Sequence, residues 1–315
     1  MSTWKAGPLA LGALGVVCFS LTFPATTAAE RSFSPLIVGA GRSVIAAALA
    51  AAILAWRRER LLPPREIVRP LLVIAATVGV GFGLLSALAL RQVDSVHVAV
   101  IAGLIPAATA GMAAWRAGER PGGGYWAALA LGLAAVAGFA VIEGGGQIRT
   151  ADLLILVALA VAGVGYAEGG ILARDYAGWR VISWAVIIAL PVSVPVTVIA
   201  LIAAPPAHVT AGAVAGLGYV GVVSMCLGFF AWYQGMARGG VATIGKLQLA
   251  QPALTLGWSA LLLGERVTWL SGAAAAVVIA AAAIGKNAKV GRRAVRAQHG
   301  IPDTGQAKDQ VSATM

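Results

Sequence analysis

Four titratable side chains lie within stretches of this 315-residue chain that are otherwise almost free of charge: Arg42, His97, Glu168 and Lys246. A charge in apolar surroundings costs several kcal/mol unless it finds a partner or a water-filled cavity, so each of the four asks for a role. Arg42 stands about seven residues into its stretch, roughly 10 Å deep at the helical rise per residue. A fixed cation there suits either the carboxylate of a small solute or a structural pairing that ties two parts of the protein together. Glu168 lies about four residues before the end of one stretch and Lys246 about four after the start of another, which places both roughly 6 Å deep. The two are expected to approach one another, with Glu168 as the proton-responsive member; the alternative for Lys246 is that it snorkels to the lipid headgroups. His97, close to Asp94, reads either as a pH-sensitive gate or as an interfacial residue. Gln248, Gln251, Thr255 and Ser259 follow at intervals of three, four and four, which puts them on one face of a helix. Such a row suits hydrogen bonding to a polar solute in a cavity, or plain interhelical hydrogen bonding.

These residues must be positioned by elements that live in lipid. Hydrophobic residues make up 59% of the chain and charged residues 11%, far from the composition of a soluble domain. Crossing a bilayer takes about 20 helical residues. Cutting at charge clusters and Pro/Gly-rich joins predicts ten apolar spans, at about 6–28, 35–56, 70–90, 95–115, 124–142, 152–172, 181–203, 211–236, 242–264 and 269–285. They are too long and too uniform for barrel strands, so an all-α integral membrane protein follows. The net charge of +11 does not imply nucleic acid, because most Lys and Arg residues fall in alternate connections, including Arg57 to Arg69, Arg174, Arg180 and Lys286 to Arg296. That bias predicts a multi-pass protein of the cell (inner or plasma) membrane with both termini cytoplasmic. Cys18 and Cys226 lie inside spans and read as small apolar residues. Residues 1–29 also resemble a signal peptide, but the apolar run is longer than the usual 7 to 15 residues.

One passage is written twice. Pro106-Ala-Ala-Thr-Ala-Gly through Gly118-Glu119-Arg120 returns 146 residues later as Pro252-Ala-Leu-Thr-Leu-Gly through Gly264-Glu265-Arg266, with eight of fifteen positions identical. The chain is a duplicated unit, 6–146 and 151–286, followed by a basic and then polar tail, 287–315, expected to be disordered. Five spans per unit is an odd number, so the second copy enters the membrane from the opposite side. Ten transmembrane helices as two inverted five-helix repeats is an architecture of secondary transporters. Pro106 and Pro252 each free a backbone carbonyl in matching helices and are candidate hinges. The Gly79/Gly83, Gly165/Gly169 and Gly212/Gly216 pairs read as close helix packing.

Together, the Pro-led helices ending in Gly-Glu-Arg and the stretch from Phe230-Ala-Trp-Tyr-Gln-Gly-Met-Ala-Arg-Gly-Gly to Gln251-Pro252 make residues 6–286 resemble the EamA-type family of the drug/metabolite transporter superfamily. The resemblance implies transport of small metabolites, commonly export of amino acids or related solutes, often by proton exchange. It also implies an Arg in the second helix, matched by Arg42, and makes Tyr233 a cavity candidate where position alone suggests an aromatic belt.

Motifs of other chemistries fail in detail. Gly240-Val-Ala-Thr-Ile-Gly-Lys246 approaches a phosphate-binding loop, but Leu247 replaces the required hydroxyl. Gly216-Leu-Gly-Tyr-Val-Gly221 lies in mid-span instead of at a strand-to-helix turn. No metal-ligand spacing and no catalytic elbow occurs, so neither metal, cofactor nor enzymatic activity is expected. The expectation is a secondary active transporter, with a small-molecule substrate, protons and the lipid bilayer as partners and a homodimer left open. The competing readings are a polytopic enzyme acting on a lipid-linked substrate and a non-transporting scaffold.

Overall fold

The computed structural model describes residues 6–116, 120–287 and 290–291, and it is helical throughout except for a two-residue pairing of Arg120–Pro121 with Val290–Gly291. Eight helices are long and apolar enough to cross a membrane. They are α1 (Pro8–Glu30), α2 (Pro35–Trp56), α3 (Arg65–Leu90), α4 (Ser95–Met112), α5 (Gly123–Glu143), α6 (Thr150–Leu172), α7 (Gly178–Ala203) and α8 (Ala211–Gly239). The expected ninth and tenth spans take different forms. The stretch 241–263, here α9, is helical but broken into a short α-turn, a 3-10 turn over Lys246–Ala250, an α-segment Gln251–Trp258 and a π-turn Ser259–Leu263. The last helix, α10 (Trp269–Asn287), carries a shorter apolar stretch, Trp269–Ile284. Of the ten expected spans, eight are thus long and apolar enough by themselves, and the last two are helical but broken or shorter: the 3-10 turn before Pro252 interrupts α9, and Gly264 ends it in a left-handed conformation (φ 70°). The polar tail lies outside the described residues, apart from its first few positions, as do Gly118 and Glu119 of the first Gly-Glu-Arg.

The two halves interleave. The dominant packing partners are α1 with α8, α3 with α6, α2 with α7, α4 with α6, α1 with α9, α4 with α9 and α5 with α10. Exchanging the halves turns each of these pairs into another of them or into itself, the packing signature of a duplicated unit. Small residues allow the closest approaches: a Cβ on Gly83 would lie 2.5 Å from the Gly39 carbonyl, and one on Gly216 2.5 Å from that of Ala25. Matching irregularities recur in matching helices, since α3 carries a π-turn over Ala75–Gly81 and α8 one over Tyr219–Gly228. The Ser43 hydroxyl donates to the Gly79 carbonyl within the first, and the Cys226 thiol of the second donates to the Ala46 carbonyl of α2 at 3.3 Å.

Each candidate hinge proline sits just after a break. Pro106 follows the turn at Gly103–Leu104 as the second residue of Ile105–Arg116, and Pro252 follows the 3-10 turn as the second residue of Gln251–Trp258. A first helical turn tolerates proline, since its N–H would have no partner there. Pro24 does the same work inside α1, which breaks at Leu21. It leaves the Ser20 carbonyl without its ladder donor, and the Thr255 hydroxyl of α9 fills the place at 2.8 Å.

Candidate functional site

Where the halves meet, nine side chains surround a small enclosed cavity: Phe19, Thr22 and Phe23 of α1, Arg42 of α2, Phe82 of α3, Tyr166 of α6, Ser224 and Phe229 of α8, and Gln251 of α9. Its volume of about 10 Å³ has room for roughly one water. Arg42 is only 2% exposed. Its Nη2 reaches the Met225 sulfur at 3.5 Å, its guanidinium lies 5.7 Å from the centroid of the Phe82 ring, and its Nε has no hydrogen-bond partner. Opposite, the Gln251 amide oxygen is buried and likewise unpartnered, while the Thr22 and Ser224 hydroxyls bond to each other at 2.8 Å. Phe19, Tyr166, Phe229 and Trp232 stack in a continuous aromatic wall, with centroids 4.8 to 6.1 Å apart. The arrangement is a polar pocket with one cation, neutral hydrogen-bonding groups and an apolar wall, deep between two interleaved units.

The row on α9 is buried over its whole length: Gln248, Gln251, Thr255 and Ser259 all face inward. Its members play different parts. Gln251 faces the cavity, and Gln248 is buried one turn away with both amide atoms unpartnered. Thr255 is committed to the Ser20 and Gln251 carbonyls, and Ser259 to the Thr255 carbonyl and, at 2.7 Å, the Ser95 hydroxyl.

Other expected site residues fall elsewhere. Tyr233 is fully buried but does not line the cavity. Its hydroxyl donates to the Gly165 carbonyl at 3.0 Å, and its ring fills the space that a Cβ on Gly169 would need. Tyr166 takes the cavity position instead. Lys246 is exposed, and no ion pair joins it to Glu168 among the described residues, so the expected approach of these two is corrected. Glu168 is buried and borders a separate cleft of about 380 Å³ with Arg69, Pro70, Val73, Met112, Trp115 and Val164.

His97 is buried against a partner the sequence did not suggest. Its Nε2 lies 2.6 Å from Oδ1 of Asp152, at the start of α6, whereas the neighbouring Asp94 merely precedes α4. Asp152 also accepts from the Arg149 backbone N–H at 2.7 Å. His97 lines a cleft of about 420 Å³ whose wall includes Asp94, Glu143, Arg149 and Arg266. Next to it, the Glu265 carboxylate of the second Gly-Glu-Arg accepts from the Ser95 and Val96 N–H groups at 3.2 and 2.9 Å and from the Ser95 hydroxyl at 2.8 Å. A carboxylate at the N-terminus of α4 satisfies amides that have no partner within the helix and complements the helix dipole. The shared motif therefore staples one half to the other.

Sequence reasoning missed Thr22, Tyr166, Ser224 and Asp152. Only Asp152 carried a signal, as an acidic residue in the first turn of a span; the others are ordinary residues for a buried helix.

Comparison with known proteins agrees with this architecture. The model of the EamA-like transporter family matches twice, over residues 7–141 and 149–284. The chain is 41% identical over 281 residues to the uncharacterized transporter YdeK of Bacillus subtilis (strain 168), covering 88% of this chain and 96% of that one. A solved crystal structure, 18% identical, covers 89% of this chain and 98% of its own with a TM-score of 0.62, which is a likeness of fold.

Proposed function

Since this chain belongs to the EamA-like transporter family and is a multi-pass membrane protein of the drug/metabolite transporter type, we propose that it is a secondary active exporter of a small polar metabolite, on family grounds an amino acid or a related solute. Transport proceeds by alternating access of two inverted five-helix repeats, 6–146 and 151–286, around the central cavity, in the cell membrane with both termini cytoplasmic. The observation that carries this reading is the enclosed pocket between the halves, where Arg42 Nε and the Gln251 amide oxygen are buried without partners. Polar atoms buried in that way are costly unless a ligand or water completes them.

In this reading Arg42, Gln251 and Gln248 meet the solute, and Thr255 holds α9 against α1. Pro106 and Pro252, each just after a helix break, are the points about which α4 and α9 bend. In this reading the cleft beside Glu168 and the cleft beside His97 are the two entrances. Glu168 carries the coupled proton. Transport by Glu168→Gln should lose its pH dependence; an unchanged rate and pH profile removes the proton role.

The decisive experiment is uptake and counterflow in vesicles reconstituted with the purified protein, across amino acids, nucleosides, sugars and cationic drugs at two pH values. Saturable movement of one class that is lost on Gln251→Leu is expected. No movement of any class would leave the scaffold reading in its place.

A further inference from the structure

The pocket between the halves is unbalanced in charge. Arg42 is its one formal charge, and the ion pairs among the described residues, His97–Asp152 and Arg180–Glu59, do not include it. The neighbours of the guanidinium are a thioether, a phenyl ring and neutral hydroxyls and amides, none of which neutralises it. A buried ion without a counter-ion in the middle of a membrane bundle is among the most expensive arrangements a protein can keep. We infer that the central cavity, which in this closed form has room for about one water, widens into an anion site: its ligand carries one net negative charge, which Arg42 neutralises, and an apolar body that lies against Phe19, Phe23, Phe82 and Phe229.

This inference rests on the transporter reading and narrows its substrate class to those relatives of amino acids that carry a carboxylate and no ammonium. Three classes are separable by charge count alone. An organic monoanion leaves the site neutral. A zwitterion satisfies Arg42 but brings an ammonium into a lining that holds no carboxylate. A cation places two like charges together. The Gln251 amide and the Thr22 and Ser224 hydroxyls supply the neutral hydrogen bonds that a carboxylate still needs after Arg42 has donated. The same counter-charge can come from an inorganic anion such as chloride, which would use Arg42 and leave the aromatic wall idle.

The test uses one body with three charges: 3-phenylpropionate, phenylalanine and phenethylamine, each titrated against the purified full-length protein while Tm is followed, with chloride titrated separately. 3-Phenylpropionate is expected to raise Tm by on the order of 5 °C at about 100 times its Kd, and the other two to have little effect. Arg42→Gln should weaken its binding by about 30-fold or more, as loss of one partner of a buried charged pair does. Arg42→Lys, which keeps the charge but not the fork, should retain part of the binding and decides the matter if Arg42→Gln does not fold. Saturation by chloride alone, abolished in Arg42→Gln, supports the anion site and assigns it to an inorganic ion. Stabilisation by phenylalanine or phenethylamine with a silent 3-phenylpropionate overturns the charge assignment and leaves a transporter of another solute class standing. Silence from all three probes and from chloride overturns the anion site, and the vesicle screen then decides separately whether the protein transports at all.

Discussion

The two copies of the repeated passage, α4 with its continuation to Arg116 and α9, share their frame and differ in their inner faces. Both break just before a proline, and in α9 the closing Gly-Glu-Arg turns back to staple the start of α4. Inside, the positions Gln248, Gln251 and Ser259 of α9 correspond to Ala102, Ile105 and Ala113 of the first copy. Thr109, the one polar residue of the first face, bonds back to the Ile105 carbonyl of its own helix at 2.9 Å. Gln248 and Gln251 keep amide atoms without partners, and Gln251 reaches the pocket beside Arg42. On the transporter reading, the shared frame serves as scaffold, and Gln248 and Gln251, where the copies differ, mark the site.

That contrast is easiest to break at the staple. Glu265→Ala should cost about 2–3 kcal/mol, because three hydrogen bonds to a carboxylate are lost at a partly buried helix start. Denaturant or thermal unfolding would show it, and a loss under 1 kcal/mol would mean that the shared motif is not what joins the halves. Placing an amide on the scaffold copy is the next largest perturbation. Ile105→Gln buries a polar group among apolar neighbours and should lower stability by about 2 kcal/mol; an unchanged Tm would show that the first face tolerates polarity as the second does.

Gln251→Leu should act the other way round, leaving Tm unchanged or raised because an unpartnered amide oxygen is removed, while solute binding falls about tenfold or more. A fall in Tm with binding intact would make this residue structural. The smallest effect belongs to the hydrogen bond that α9 lends to α1. Thr255→Val should cost about 1 kcal/mol, and less in a Pro24→Ala background, where the restored N–H can satisfy the Ser20 carbonyl from within α1. Equal costs in both backgrounds, measured as a double-mutant cycle, would break that link.

Much of the fold was legible in the residues. Apolar length, the placement of charge and the doubled passage gave a duplicated helical membrane protein, and the spacing of Gln248, Gln251, Thr255 and Ser259 gave a face that is indeed buried. The site was legible only in part. Arg42 and Gln251 stood out because a charge or an amide within a span is conspicuous by type. Thr22, Ser224 and Tyr166 did not, because hydroxyls are cheap enough in a helix to go unnoticed.

By itself, then, the sequence determined which stretches are apolar enough for lipid and which residues share a helical face, since transfer cost and helical period act within one element. Only the tertiary structure decided which faces meet. It set His97 against Asp152 instead of Asp94, put Tyr166 in the cavity and Tyr233 outside it, and left Lys246 exposed and apart from Glu168. Depth along a helix follows from counting residues. The rotation of one helix about its axis relative to another is fixed by the packing of both, as where Gly39 meets Gly83 and Gly216 meets Ala25, and no single stretch of sequence contains it.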